Sequence, residues 1–73
     1  MHNKEKIIEN SVKKLEKRNL TEEQQQELAA FKVLFNFFKN TRTQGLALTA
    51  EEEEVLNALL IIVNRMVKDS SVT

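Results

Sequence analysis

Two segments of this chain start with the same helix-opening chemistry and continue with the same internal spacing. Leu20-Thr21-Glu22-Glu23 opens a run that ends in Phe35-Asn36-Phe37-Phe38, and Leu48-Thr49-Ala50-Glu51 opens one that ends in Val63-Asn64-Arg65-Met66. A shift of 28 residues matches Leu20 to Leu48, Thr21 to Thr49, Glu23 to Glu51, Leu28 to Leu56, Ala30 to Ala58 and Asn36 to Asn64. Thr21 and Gln24 have the spacing of a capping box, in which the threonine hydroxyl accepts the N–H three residues on and that residue's side chain reaches back. Thr49 and Glu52 repeat it. Glutamates in both first turns complement the partial positive charge of a helix start. The likeness admits duplication and convergence from a small alphabet. Either origin predicts two long helices joined by a short turn.

Proline is absent and the only glycine, Gly45, falls between these two segments. Leu, Glu, Lys, Gln and Ala favour helix, and no long stretch alternates with the period of a strand. An earlier helix is predicted over about residues 4–18, where Ile8, Val12 and Leu15 form a narrow stripe widened by Ile7 and Ser11. Asn19 and Leu20 end it. The second helix is expected over about 22–41, with Leu28, Phe31, Phe35 and Phe38 as its inner stripe and Ala30, Leu34 and Phe37 beside it. Thr41 to Leu48 reads as the turn, with Gly45 suited to close the helix and its end falling between Asn40 and Gln44. The third helix is expected over about 50–68, followed by a frayed tail at 69–73.

This third helix is apolar over an arc of about 200° at 100° per residue, from Val55 and Leu56 through Leu59, Leu60 and Ile62 to Val63, Met66 and Val67. Ile61 lies outside that arc. One neighbouring helix covers less than this, so the third helix is expected to touch two neighbours or an external partner. The predicted fold is all-α: a three-helix chain built on a long antiparallel helical hairpin, forming a dimeric helical bundle.

Size supports the same expectation. A single domain of 73 residues without cysteine buries only about 60% of its unfolded surface and has no disulfide to stabilise it. The net charge is zero but unevenly spread: residues 1–19 carry six basic and three acidic side chains, and residues 48–69 carry Arg65 and Lys68 against five acidic ones. That distribution favours contact between the first and last segments over attraction to a polyanion. The start of the chain is charged, without the apolar stretch of a signal peptide, and the longest apolar run, Ala58 to Val63, is too short to span a membrane. The expectation is a soluble cytoplasmic protein with no membrane contact.

Little here serves catalysis. Ser11, Ser70 and Ser71 have no histidine but His2, there is no glycine-rich phosphate loop, and no glutamate is singled out as a base. No enzyme activity, cofactor or metal is expected. Glu51, Glu52, Glu53 and Glu54 point in four directions on a helix without the histidines a di-iron bundle uses, so they read as dipole-stabilising charges or as a contact for a basic surface. Lys13, Lys14, Lys17 and Arg18 form the best positive patch. With Lys4 and Lys6 it suits a charged contact with protein, or with phosphates in the alternative reading as a nucleic-acid-binding regulator. Phe37, Leu60, Ile61 and Val67 are the candidate protein-interface residues. The function expected is that of a small non-catalytic protein acting through association, as a homodimer or as a regulatory or adaptor subunit on a larger partner. A purely structural oligomeric bundle is the remaining alternative.

Overall fold

The computed structural model describes residues 3–42 and 48–70. Their regular structure is entirely helical: α1 (Asn3–Glu16), α2 (Glu22–Thr41) and α3 (Ala50–Ser70), with no strand among the described residues.

The starts of α2 and α3 have local causes. At the start of α2, Gln24 N–H donates to Thr21 Oγ1 at 3.1 Å and Thr21 N–H donates to Gln24 Oε1 at 3.0 Å. The same pair of bonds links Thr49 and Glu52 at 3.1 and 2.9 Å ahead of α3. Helix α1 stops at Glu16, two residues before the expected end, because its last turn tightens. Lys17 N–H bonds Lys14 O and Arg18 N–H bonds Leu15 O, each three residues back, which satisfies terminal carbonyls but ends the α-helical ladder. Helix α3 runs two residues past its expected end. The Arg18 side chain explains this: Nη1 donates to Val67 O at 2.8 Å and to Ser70 Oγ at 2.6 Å, and Ser70 Oγ itself donates to Val67 O at 3.0 Å. A guanidinium at a helix C-terminus satisfies orphan carbonyls and opposes the partial negative charge there. The expected turn glycine, Gly45, and tail residues 71–73 lie outside the described residues.

Side-chain pairs give the directions of the helices. Glu5, Glu9 and Glu16 of α1 meet Arg42, Lys39 and Lys32 along α2, in reverse order, so these helices are antiparallel. Lys4 reaches Glu53 and Asn57 near the start of α3 while Arg18 reaches its end, so α1 and α3 run parallel. It follows that α2 and α3 are antiparallel. Helix α1 packs more closely on α3 than α2 does, and α1 and α2 meet least closely. α1 is therefore more than the narrow cover its stripe suggests, and α3 is the central element that both other helices lean on.

The core is built from one stripe per helix. Ile8, Val12 and Leu15 meet Leu28, Phe31, Phe35 and Phe38, with Leu56, Leu59 and Val63 between them. The Phe31 and Phe35 rings stack with centroids 6.2 Å apart and planes 19° from parallel, an arrangement aromatic pairs favour. Burial of such side chains contributes about 1.5–3 kcal/mol each. These stripes fix which faces of α2 and α3 are left outside.

Candidate protein interface

Those outer faces form an apolar groove. From α2 it takes Leu34 and Phe37, 56% and 67% exposed, and from α3 it takes Val55, Ile61 and Ile62, at 48%, 66% and 45%. Ala30 and Ala58 line it between them. No α1 residue contributes, so the groove lies along the seam of α2 and α3. Its two halves, each with about 430 Å³ of free space, share Leu34. Glu51, Glu52 and Arg42 rim one end, and Glu27, Arg65 and Asp69 rim the other. Contiguous exposed apolar side chains of this kind, edged by charge, are what association surfaces look like.

The four candidate interface residues divide. Phe37 and Ile61 emerge into solvent on this face. Leu60 and Val67 are half-buried against the core, and Arg18 lies over the Val67 carbonyl. Leu34, Val55 and Ile62, which lie on the wide apolar arcs, stand outside with Phe37 and Ile61. The apolar arcs of α2 and α3 are both wider than the contacts available inside the chain. Sequence shows the width of an arc but not where its neighbours stop. Val33 is also 67% exposed, and no periodicity singles it out.

The charged candidates divide further. Lys13, Lys14 and Lys17 are exposed, while Arg18 is half-buried and spent on the end of α3. Glu52 closes the capping box and Glu53 pairs with Lys4 at 3.4 Å, leaving Glu51 and Glu54 exposed. The acidic run is thus four residues with different tasks rather than one surface.

A ladder of ion pairs between α1 and α2 is not among the features expected from sequence. Glu16 meets Lys32 at 2.6 Å, Glu9 meets Lys39 at 3.2 Å, and Glu5 meets Arg42 with Oε2 2.6 Å from Nε. Arg42 Nη2 also donates to Glu5 Oε1 at 3.2 Å. The Glu5 and Arg42 side chains are 11% and 20% exposed, against about a third or more for the other two pairs. Lys39 additionally sits 4.8 Å from the centre of the Phe35 ring, a cation–π distance. A signal was present: the three glutamates share one side of α1, and their partners recur in reverse order along α2 and its C-cap at intervals of three and seven, against four and seven on α1. These pairs orient α1, and only Arg42 among their members also borders the α2–α3 groove.

Among the described residues no three His, Cys, Asp or Glu side chains gather as a metal site would require. No described helix is long and apolar enough to cross a membrane. Against family models, curated proteins and solved structures alike, the chain finds no match.

Proposed function

We propose that this chain works by association, and that the apolar groove of α2 and α3 is where it pairs with a second copy. The hairpin formed by these two helices would face its twin across a two-fold axis, giving a four-helix core with α1 on the outside of each half. One observation carries the reading: five large apolar side chains, Leu34, Phe37, Val55, Ile61 and Ile62, are each at least 45% exposed on one side of so small a chain. Covering each contributes about 1 kcal/mol, roughly half the value for full burial. Together they amount to roughly the stability expected of a domain of this length. The dimer would act without catalysis, as a regulatory or adaptor module whose charged outer surface, Lys13, Lys14 and Lys17 included, remains open for a larger partner.

Phe37→Ser and Ile61→Ser test the reading by sedimentation over a wide concentration range, with circular dichroism as the control for folding. Both side chains lie outside the core, so the variants are expected to fold while the dissociation constant rises about tenfold or more, at 1.4 kcal/mol per decade. Unchanged association of both folded variants would place the interface elsewhere.

A further inference from the structure

The outer face of α3 has an arrangement that a two-fold partner would match. Ala58 stands at its middle, exposed and small. Glu51 and Arg65 lie seven residues on either side of it, and Val55 and Ile61 lie three on either side. A seven-residue spacing returns a helix almost to the same face, so Glu51, Ala58 and Arg65 share one line. Val55 and Ile61 flank that line. Read from the amino end, the face runs acidic, apolar, small, apolar, basic.

We propose that α3 pairs antiparallel with α3 of a second copy, crossing at Ala58, with Glu51 of each chain against Arg65 of the other. This rests on the homodimer reading above and adds its register. The argument is one of complementarity. Reversing α3 about Ala58 places acid on base at both ends and apolar on apolar between them, which is the self-matching that a two-fold interface requires. A parallel pairing in the same register would instead set Glu51 on Glu51 and Arg65 on Arg65. The methyl of Ala58 lets the two backbones approach where they cross. Both end residues are exposed, and among the described residues neither Glu51 nor Arg65 carries an ion pair within its own chain. Leu34 and Phe37, on the α2 side of the groove, then close over the flank of the partner's α3.

Charge exchange tests the register. Glu51→Lys and Arg65→Glu each place two like-charge contacts in the dimer, one at each end, and each is expected to weaken association by roughly tenfold, at somewhat under 1 kcal/mol per exposed contact. The double variant restores opposite charges and is expected to recover most of that loss. Mixing the two single variants gives a heterodimer in which both ends set opposite charges together, and is expected to recover most of the affinity that each single variant loses. The chain has no cysteine, so Ala58→Cys with a short bis-maleimide gives a separate readout: efficient covalent dimer is expected from this variant and little from Lys14→Cys on α1. A wild-type chain that dimerises while the single variants are unaffected, or while the double variant shows no recovery, overturns the antiparallel register and leaves the homodimer reading standing. Equal cross-linking from both positions overturns it as well. A wild-type chain that never dimerises overturns both.

Discussion

Glu5 is the buried charged residue among those described, and its value depends on Arg42. A carboxylate 11% exposed against a guanidinium 20% exposed is screened less than an ion pair in open water, and removing one partner leaves the other partly desolvated. Glu5→Gln is expected to cost about 1.5–3 kcal/mol, the range for hydrogen bonds to charged groups, measured by urea unfolding. Glu16→Gln breaks a pair whose side chains are 44% and 45% exposed, and is expected to cost about 0–1 kcal/mol. Equal losses would mean that burial does not separate the two pairs. In the sequence Glu5 is only a charge diluting a basic helix, because burial depends on what another helix places opposite. Caps are different. Thr21 and Thr49 were legible because a capping box is complete within four residues, and Thr21→Ala is expected to cost about 1 kcal/mol.

Helix boundaries follow the same division between local and distant causes. The starts of α2 and α3 are set by their own residues, so spacing alone locates them. The ends of α1 and α3 are coupled: the chain leaves α1 in a tight turn that carries Arg18 to the last carbonyls of α3. Nothing near residue 70 signals that support, which comes from a residue more than fifty positions earlier. Arg18→Gln is expected to fray α3 from Val67 onward while leaving its centre helical. Backbone chemical shifts of Met66 to Ser70 would report this, and unchanged helical shifts in the variant would show that the α3 terminus holds itself. Arg18 also belonged to the basic patch considered for nucleic acid. Its use inside the fold leaves Lys13, Lys14 and Lys17 as the exposed part of that patch.

At the scale of the whole molecule, three stripes close one core and leave an apolar seam open between α2 and α3. The inner stripes through Ile8 on α1, Phe31 on α2 and Val63 on α3 were readable from periodicity, since helical spacing states which side chains share a face. Contact between α1 and α3 was legible in the uneven charge, and Lys4 meets Glu53 as that charge suggests. How closely they pack was not, because a narrow stripe can still sit tightly against a wide one. The groove was legible in part: the sequence singles out Phe37 and Ile61, and the third helix's arc exceeds one neighbour. Which arc residues stay outside (Leu34, Val55 and Ile62) depends on where the other helices stop. Core and groove residues should therefore respond differently to change. Leu56→Ala, at a site 1% exposed, is expected to cost about 2–5 kcal/mol of stability, whereas Phe37→Ser should act chiefly on association. The most direct test of the central claim is sedimentation equilibrium of the unmodified chain from low micromolar to high micromolar concentration. The mass is predicted to rise from that of one 8.5 kDa chain to twice that value and to stop there. A single-chain mass throughout would contradict it.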